Sequence, residues 1–336
     1  MTGLHPLLAT IMLPHVVNAP TPLSYLSGYG TKATPVLALT WGLLVISIIV
    51  VVIVSVMVVW GVWRRGVGFA GGIARVPVTS GPRSGIFVLT AVSISAVVLL
   101  GSLIWSVIVL ADITGPNKEP ALTIDVTGQQ WWWKATYQNQ DPARQLTVAN
   151  EIHIPVGEPV RVRLMSEDVI HSFWVPALGG KTELIPGRTN ITWLEANKPG
   201  VYVGQCTEFC GAQHAHMGFI VVAQAPADFQ KWVDQQLQPA VAPSDKALKH
   251  GEQEFVFHCG MCHTVRGTAA GGVVAPDLTH VMSRQMLAAN TLRNTPANLG
   301  GWIADPQSLK PGTKMPVLYL SGPQLNDIQS YIETLK

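Results

Sequence analysis

The sequence predicts a multidomain membrane protein with a transmembrane hairpin of two helices, a β-sandwich or barrel, and a small all-α domain. Three features lead to this prediction: two long uncharged apolar runs, a stretch of short β-rich segments separated by turns, and a C-terminal region with several helix start signals. The 336 residues suffice for two or three domains. The predicted boundaries are 1–34 for an N-terminal segment, 35–113 for the hairpin, 114–225 for the β domain, 226–244 for a short helix and linker, and 245–336 for the α domain.

The two apolar runs are long enough to cross a membrane. Val36–Trp63 contains 28 residues without a charge, and Ile86–Ala111 contains 26. At about 1.5 Å per residue, each helix would exceed the roughly 30 Å hydrocarbon core of a bilayer. A helix of this length in a soluble core normally has a polar face, and neither run has one. We therefore predict two transmembrane helices.

Arginine placement predicts the orientation of this hairpin. The loop between the runs carries four arginines and no acidic residue, whereas the nearest flanking lysines are Lys32 and Lys118. The arginines are Arg64, Arg65, Arg75 and Arg83. Positively charged loops remain in the cytoplasm, so both termini and everything after Asp112 are predicted on the outer side of the membrane, in the periplasm or its equivalent.

Processing of the N-terminus stays open. Leu7–Val17 is apolar and Ala19 is small, as in a secretory signal, but no lysine or arginine precedes the apolar stretch. An uncleaved N-terminus is therefore favoured over removal of residues 1–19. The net charge of +2, without a basic patch, gives no indication of nucleic-acid binding.

The β domain is predicted from short segments that alternate with turns such as Pro186–Gly187 and Pro199–Gly200. The segments are Leu122–Val126, Leu146–Ile154, Val160–Met165, Asn190–Leu194, Val201–Gly204 and Phe219–Val222. Strands of this length and spacing predict an antiparallel sandwich or barrel.

The α domain is predicted from helix start signals. A short helix at Asp228–Gln236 precedes the linker, and Ser244 is expected to cap a helix that leads to Cys259. Pro296 suits the first turn of another helix, and Pro323 opens the last one. Apolar residues recur at helical spacing in that last helix: Leu325, Ile328, Ile332 and Leu335.

Four cysteines in an oxidising compartment usually form disulfides, but here they occur as two close pairs among histidines and methionines. The second pair, in Cys259-Gly-Met-Cys262-His263, has the spacing of c-type haem attachment. Two thiols on one helical turn can each form a thioether with a haem vinyl group, and the following histidine is then the proximal iron ligand. A redox-active or zinc-binding pair is the alternative, but zinc would need further ligands and the α domain has no other cysteine.

A sixth iron ligand is expected, and methionine at that position raises the potential. The candidates are Met282, Met286 and Met315. The first two are four residues apart, as expected for a helix core. Met315 lies in the turn-rich stretch Gly312-Thr-Lys-Met-Pro316, which can form an extended loop over the haem. We predict Met315 as the ligand and expect the Pro276 carbonyl to orient the His263 ring.

The first cysteine pair predicts a copper site. Cys206-Thr-Glu208-Phe-Cys210 is followed by His214 and Met217, and His171 lies 35 residues upstream of Cys206. Sulfur together with imidazole suits copper in an electron-transfer site. Two thiolates, two histidines and one methionine are too many good ligands for one ion, so we predict two coppers bridged by both sulfurs.

Alternatives to this copper site remain. Cys206 and Cys210 can instead close a small disulfide loop, and His171 alone would be interpreted as a core histidine. His216 is close enough to exchange roles with His214, whereas His153 has no partner at a suitable spacing.

Three consecutive indoles, Trp131-Trp132-Trp133, cannot all be core residues of a strand, because alternate side chains face opposite ways. At least one is expected to be exposed or in an interface. Anchoring at the membrane surface and a role as an electron path or docking platform are both compatible with the sequence.

Taken together, these residues resemble subunit II of the haem–copper cytochrome c oxidases, in the caa-type form with a cytochrome c domain fused at the C-terminus. The resemblance covers nearly the whole chain. Besides the haem motif it rests on Gly128-Gln-Gln-Trp131, Asp168-Val-Ile-His171-Ser, Ile185-Pro-Gly-Arg188, Gly204-Gln-Cys-Thr-Glu-Phe-Cys-Gly211 and His214-Ala-His-Met217. It implies a cupredoxin-like β-sandwich or barrel and an all-α class I cytochrome c domain.

The resemblance also implies the ligands of a dinuclear copper A (CuA) centre. They are His171, Cys206, Cys210, His214, Met217 and the backbone carbonyl of Glu208. The Glu208 side chain would help to bind magnesium or manganese at the border with subunit I. In the family, electrons enter at the first tryptophan of the aromatic motif, which is Trp131 here.

The implied function is electron input to a terminal oxidase, from cytochrome c through haem c and CuA to subunit I, where oxygen is reduced to water and protons are pumped. This chain alone would hold no oxygen-reducing site, and subunits I and III, cytochrome c and lipid would be its partners. A CuA subunit of a nitric oxide reductase and a free-standing membrane-anchored electron shuttle are the alternatives. Quinol oxidase subunits lack the copper ligands.

One departure from the family concerns proton uptake. Many members carry a glutamate near the start of the second transmembrane helix, whereas residues 64–111 here contain no acidic side chain. The proton-uptake role is therefore assigned to no residue of this chain.

Overall fold

The computed structural model describes residues 23–64 and 82–336, and these form two compact units. One unit is Thr34–Gly115, and the other comprises the described residues up to Ala33 together with Pro116–Lys336. Residues 1–22, with the N-terminal signal considered above, lie outside the described residues. The predicted orientation of the hairpin rests on four arginines that also lie outside the description. Arg65 and Arg75 are outside the described residues, and the side chains of Arg64 and Arg83 are not described.

The first unit consists of two long helices, α1 (Ala33–Arg64) and α2 (Pro82–Thr114). Both are long and apolar enough to cross a membrane, over Ala33–Trp63 and Ser84–Thr114. Their large apolar side chains are mostly exposed, as expected for surfaces that face lipid or another subunit. Gly42 of α1 provides room for the Trp105 ring of α2, because a Cβ at Gly42 would lie 2.2 Å from that ring.

The β domain is a sandwich of two five-stranded sheets, with strand orders β3-β2-β1-β5-β8 and β4-β10-β9-β6-β7. The strands are β1 (Leu122–Gln129), β2 (Trp132–Tyr137), β3 (Leu146–Ala149), β4 (Glu151–Pro155), β5 (Val160–Ser166), β6 (His171–Trp174), β7 (Thr182–Leu184), β8 (Asn190–Leu194), β9 (Gly200–Cys206) and β10 (Gly218–Gln224). All six predicted segments lie in strands, but the purely antiparallel prediction is wrong. The pairs β1·β5 and β4·β10 are parallel.

A single residue explains why the predicted strand Leu146–Ile154 is two strands. Asn150 has a φ of 62°, in the left-handed region, and interrupts the extended backbone there. The chain changes sheet at this point, so that β3 pairs with β2 in one sheet and β4 pairs with β10 in the other. Both parallel pairings follow from such crossings between sheets, which short-range sequence patterns do not reveal.

The sandwich core is aromatic close to the predicted copper ligands. Trp133 is fully buried and contacts Phe173 and Phe219 with ring-centroid distances of 5.9 and 5.1 Å. Trp132, on the opposite face of β2, is half-buried, as strand alternation requires. The pairing of Phe173 in β6 with Cys206 in β9 brings His171 and Cys206 to the same end of the second sheet.

The segment before α1 packs on the β domain. The Tyr29 N–H donates to the Ala177 carbonyl at 2.8 Å, and the Asn197 N–H donates to the Tyr29 carbonyl at 2.8 Å. Gly30 forms an isolated antiparallel bridge with Ala196, where a Cβ would lie 2.4 Å from the Leu178 carbonyl oxygen.

The C-terminal domain packs helices around a second apolar core. Its helices, with the connecting one before the linker, are α3 (Pro226–Gln236), α4 (Lys246–His258), α5 (Pro296–Ala304), α6 (Pro306–Leu309) and α7 (Gly322–Ile332). Gly251 of α4 lies against α7, where a Cβ would approach the Asp327 carbonyl oxygen to 2.3 Å. Phe255, Ile328, Tyr331 and Ile332 are buried at this crossing.

Three details of this domain correct the sequence predictions. The cap of α4 is Asp245 rather than Ser244, because its carboxylate accepts the N–H groups of Ala247 and Leu248. The domain is not entirely helical, since β11 (Met286–Leu287) and β12 (Leu292–Arg293) form a short hairpin. Met282 and Met286 do not share a helix either, because Met282 lies in a single 3₁₀ turn. Pro296 and Pro323 do lie in the first turns of α5 and α7, as predicted.

Substitution of Gly204 by alanine should destabilise the β domain. An added Cβ would lie 2.2 Å from the ring of Phe219, which is fully buried, so Gly204→Ala should cost about 1–3 kcal/mol of unfolding free energy by overpacking. Urea unfolding of the purified chain, followed by tryptophan fluorescence, measures this. Gly180→Ala, where nothing lies within 4 Å of the added carbon, is the matched control. Equal unfolding midpoints for the two variants would contradict the prediction.

Candidate metal centres

The predicted copper ligands lie together at one end of the β-sandwich. The Sγ atoms of Cys206 and Cys210 are 3.8 Å apart, too far for a disulfide, and both cysteines are free. The ligand atoms of His171, Cys206 and Cys210 all lie within 4.8 Å of one another, and all three residues are buried. Soft ligands packed this closely without a covalent bond form a suitable cage for copper.

The other three predicted donors complete the cluster. His171 Nδ1 lies 3.9 Å from Cys206 Sγ, and His214 Nδ1 lies 3.6 Å from Cys210 Sγ. Met217 Sδ is 3.7 Å from Cys210 Sγ, and the Glu208 carbonyl oxygen is 3.3 Å from Cys206 Sγ. Each sulfur thus has one imidazole beside it, which suits a two-copper site bridged by the thiolates. The side chain of Glu208 is exposed.

The protein scaffold explains how this cluster forms. Cys206 ends β9, and the other loop ligands lie before β10, so the β9–β10 pairing closes the loop on itself. His171 begins β6, next to β9, and packs on Gly128, where a Cβ would lie 2.8 Å from the imidazole. Gly128 is therefore required by the close approach of a predicted ligand.

His216 and His153 are separate from the cluster. His216 Nδ1 lies 2.7 Å from the Gln213 side-chain oxygen. The sequence allows either His214 or His216 as the copper ligand, and the structure favours His214. His153 is buried between Glu151 and Gln224 and stacks on Trp232 with centroids 4.0 Å apart.

Asp168 holds the His171 ring in place. Its Oδ1 lies 2.8 Å from His171 Nε2, and its Oδ2 accepts the Gln130 N–H at 2.7 Å. A carboxylate on the outer nitrogen fixes the tautomer and directs Nδ1 towards Cys206. Burial acts to raise the pKa of Asp168, but hydrogen bonds from His171 and from the Gln130 and Val169 N–H groups outweigh it and leave the pKa below its ordinary value.

The two thiols of the metal-free site share one negative charge. Hydrogen bonding from Cys210, aided by His171, lowers the pKa of Cys206 to about 4 although burial acts in the opposite direction. The contact with Cys206 and burial raise the pKa of Cys210. Burial alone would lower the pKa of His171, but its contacts with Cys206 and Asp168 raise it. The contact between His171 and Cys206 thus favours the charged form of each group.

Trp131 connects this cluster to the C-terminal domain. Its indole Nε1 donates to the Cys210 carbonyl at 3.0 Å, and Gln130 Nε2 donates to the same carbonyl at 2.7 Å. Only 8% of Trp131 is exposed, and Gly312 of the C-terminal domain lies beside its ring, since a Cβ at Gly312 would lie 3.6 Å from it. The sequence predicts that at least one of the three indoles is exposed or in an interface. Trp131 lies in such an interface, between two domains of the same chain.

On the haem side, the His263 ring is held as predicted. Its Nδ1 lies 2.8 Å from the Pro276 carbonyl oxygen, which confirms the expected role of Pro276. Burial lowers the pKa of His263, so the ring is neutral and Nδ1 carries its proton. Within residues 23–64 and 82–336, His263 Nε2 has no hydrogen-bond partner, as required of a nitrogen that binds iron. Cys262 is exposed and Cys259 is half-buried, so both sulfurs can reach a haem.

Met315 lies in a loop that Gln307 organises. Gln307 Nε2 donates to the carbonyls of Thr313 and Met315 at 2.7 and 2.8 Å, and its Oε1 accepts the Gly312 N–H at 3.0 Å. Met315 itself is half-buried. Met282, by contrast, packs against the apolar core of the domain. This arrangement supports Met315 rather than Met282 as the ligand.

Comparison with known proteins agrees with this architecture. Residues 122–224 match the family described as cytochrome C oxidase subunit II, periplasmic domain, and residues 248–336 match cytochrome c. Cytochrome c oxidase subunit 2 of Alkalihalophilus pseudofirmus is 40% identical over 215 residues, covering 63% of this chain and 61% of the relative. The protein of that name from a Bacillus species, strain PS3, is 32% identical over 244 residues, covering 68% of this chain and 67% of the relative.

This chain belongs to the cytochrome c oxidase subunit II family. It carries a cytochrome c domain behind the cupredoxin-like domain, which we call the haem domain and the copper domain from here on. The matched region covers 61% of the first relative's length, less than two thirds. Among solved structures, the periplasmic domain of subunit II of cytochrome oxidase from Bradyrhizobium japonicum is 34% identical, covers 35% of this chain and 95% of its own, and has a TM-score of 0.33.

Sequence reasoning missed the residues that support the ligands. Asp168 appeared only as part of a matching motif, Lys314 appeared only within the predicted Met315 loop, and Gln307 and Lys310 did not appear at all. No local pattern distinguishes such residues, because each acts through a partner that is distant in sequence. Lys314, for example, lies 3.5 Å from Asp168, 146 residues away.

The metal-free site should contain one thiolate at neutral pH. Because the pKa of Cys206 is lowered to about 4 and that of Cys210 is raised, increasing the pH from below about 4 to neutrality should create one thiolate per chain. Ultraviolet thiolate absorption, taken as the difference between the wild type and Cys206→Ser, measures this step. A first ionisation near the ordinary cysteine pKa of about 8.5 would be incompatible with the prediction.

Removing the Asp168 carboxylate should weaken copper binding. Loss of a partner that orients a ligating histidine typically costs about 10–100-fold in metal affinity, and Asp168→Ala is expected to fall in this range. Competition with a copper chelator measures the dissociation constant. Glu167→Ala is the matched control, because Glu167 is adjacent but pairs with Lys134 rather than with a ligand. Equal affinities for the two variants would show that Asp168 does not support the site.

Proposed function

We propose that this chain is the electron-input subunit of a terminal cytochrome c oxidase in a bacterial inner membrane. In this proposal cytochrome c gives electrons to the haem domain, the copper domain receives them, and subunit I uses them to reduce oxygen to water while protons are pumped. The observation that carries the proposal is the buried cluster of His171, Cys206 and Cys210, to which the haem domain is joined through Trp131.

The residues present fit both redox groups. Cys259, Cys262, His263 and Met315 would hold haem c, and the six donors of the copper cluster would hold CuA. When bound, haem and copper supply the redox chemistry by taking up and releasing single electrons. The protein fixes the ligand geometry: Pro276 orients His263, Asp168 orients His171, and Gln307 holds the Met315 loop. Rigid ligands favour fast electron transfer because little has to move when the charge changes.

The role proposed for Trp131 depends on the haem domain. Its ring lies beside Gly312 in the loop that carries Met315, and its Nε1 donates to the carbonyl of the proposed ligand Cys210. We therefore assign to Trp131 the passage of electrons between the two domains of this chain, rather than their arrival from a separate protein.

The exposed part of the copper loop suits a contact with subunit I. Phe209, between the two cysteines, is 77% exposed, and the neighbouring Glu208 side chain is exposed as well. We propose that this face contacts subunit I and that the Glu208 carboxylate helps to bind magnesium or manganese there.

Helices α1 and α2 would anchor the chain beside subunits I and III, with both termini on the periplasmic side. Within the described parts of α1 and α2, the only acidic residue is Asp112, near the C-terminal end of α2. Proton uptake is accordingly proposed to proceed through other subunits.

Two histidines of the copper loop provide the test. In the purified oxidase complex, His214→Gln should lower oxygen consumption with reduced cytochrome c by about a hundredfold or more, because loss of a ligand should cost at least as much as the roughly 10–100-fold caused by loss of a residue that orients one. His216→Gln, two residues further on, should leave it nearly unchanged, because that side chain contacts Gln213 and not a cysteine.

The outcomes separate the proposal from its rivals. Reduction of nitric oxide without oxygen consumption would assign the chain to a different reductase, and purification as an isolated monomer would indicate a free-standing shuttle. Retention of full activity by His214→Gln would show that electrons do not pass through the copper cluster.

A further inference from the structure

Lys310 is buried where the haem and copper domains meet, and no role assigned above uses it. Only 2% of the residue is exposed. Its ammonium group donates to the carbonyls of Trp131 at 2.8 Å, His216 at 2.8 Å and Ala288 at 3.1 Å. A lysine ammonium has three N–H donors, and all three are satisfied by main-chain oxygens of two domains. These carbonyls form a cage for one cation, which we call the lysine cage.

A buried charge is costly unless every donor is bonded, so this arrangement is stable only while the two domains are docked. Two carbonyls of the cage, those of Trp131 and His216, belong to the copper domain, and Lys310 and Ala288 belong to the haem domain. Burial lowers the pKa of Lys310 to about 7, and the electrostatic interaction with Cys210 opposes this shift. The three carbonyls can only accept hydrogen bonds, so they bind the charged form of the lysine. Separation of the domains would expose the ammonium group and leave the carbonyls without it.

The turn that supplies the third carbonyl is strained. Ala288, Ala289 and Asn290 have φ angles of 52°, 58° and 64°, a left-handed run without glycine. Such strain persists where surrounding contacts impose it, often at functional sites. Here the Ala289 carbonyl accepts the N–H of Gly218 at 3.1 Å, next to the ligand Met217. The strained turn therefore directs two adjacent carbonyls, one to Lys310 and one to the copper domain.

Lys310 also lies at the start of the Met315 loop. The Pro311 carbonyl accepts from Gln213 Nε2 at 2.7 Å, and Gly312 packs on the Trp131 ring. The loop that carries Met315 is thus attached, at its beginning, to Trp131. The Trp131 indole in turn donates to the carbonyl of Cys210. Small displacements of Lys310 would change the separation of the two redox sites.

We propose that Lys310 is a positioning residue that holds the Met315 loop on Trp131 and thereby sets the rate of electron transfer between the two domains. The proposal rests on the function proposed above. In this step one electron leaves the haem domain and enters the copper domain, so the first is oxidised and the second reduced, and no bond forms or breaks. Lys310 touches neither redox group and acts through the backbone of both domains.

The test distinguishes arrival of the electron at the haem from its transfer to the copper. The purified oxidase complex is mixed rapidly with reduced cytochrome c, and the visible band of the haem and the near-infrared band of the copper are followed in time. Lys310→Met keeps the length and apolar stem of the side chain but removes the charge and donors. Copper reduction should slow several-fold or more, because the rate of electron transfer falls steeply as two redox sites move apart. Haem reduction should keep its wild-type rate.

A second measurement distinguishes positioning from general destabilisation. In the wild type the domains are already docked, so the step in which an electron passes from the reduced haem to the copper should not depend on solvent viscosity. In Lys310→Met the haem domain must first dock on the copper domain, so copper reduction should become slower as viscosity rises. The spectra of both redox groups should stay unchanged. Lys249→Met, an exposed lysine of α4 in the same domain, should match the wild type in every respect.

Each result has a definite consequence. If copper reduction in Lys310→Met has the wild-type rate and no viscosity dependence, the lysine cage does not position the loop. If both spectra are lost, Lys310 is a folding residue and the positioning role is wrong. If the wild type itself reduces its copper without prior haem reduction, the proposed function fails, whatever the variant does.

Discussion

Cys206 and Cys210 lie at the end of a buried sheet with their sulfurs 3.8 Å apart, and this proximity constrains the surrounding structure. Two thiols so close cannot both ionise easily, and the site requires partners that spread the charge. His171 supplies a partly compensating positive charge, Asp168 fixes that imidazole, and the Gln130 and Trp131 side chains bind the carbonyl of Cys210. The aromatic core around Trp133 then supports the strands that carry these groups.

Much of this architecture can be predicted from sequence, because ligands for a metal leave a local pattern. The pairs Cys206/Cys210 and Cys259/Cys262 are recognisable by spacing alone, and the strands around them follow from alternation and turns. The helices that begin at Pro296 and Pro323 follow from the position of proline in a first turn. In each case the residues that decide the structure are close together in the chain.

The features that could not be predicted depend on distant partners. At Asn150 the chain crosses from one sheet to the other, where β4 pairs in parallel with β10. The residues next to Asn150 in the sequence do not indicate which strand β4 will pair with. Asp245 rather than Ser244 caps α4 because side-chain geometry chooses between two good capping residues. Lys310 is one of 22 basic residues by composition, and only the folded chain distinguishes it from the solvated ones.

The contacts between the haem and copper domains are made largely by the main chain. The carbonyls of Trp131, His216, Ala288 and Pro311 and the amides of Gly218 and Gln285 take part, and most side-chain partners are long and flexible. Main-chain groups are the same whichever side chains they carry. Such an interface therefore depends on a few side chains, chiefly Lys310, Gln213 and Glu151, each of which meets a main-chain group. It follows that a foreign haem domain could be accommodated on this copper domain if its backbone had the matching shape and it carried a lysine at the position of Lys310.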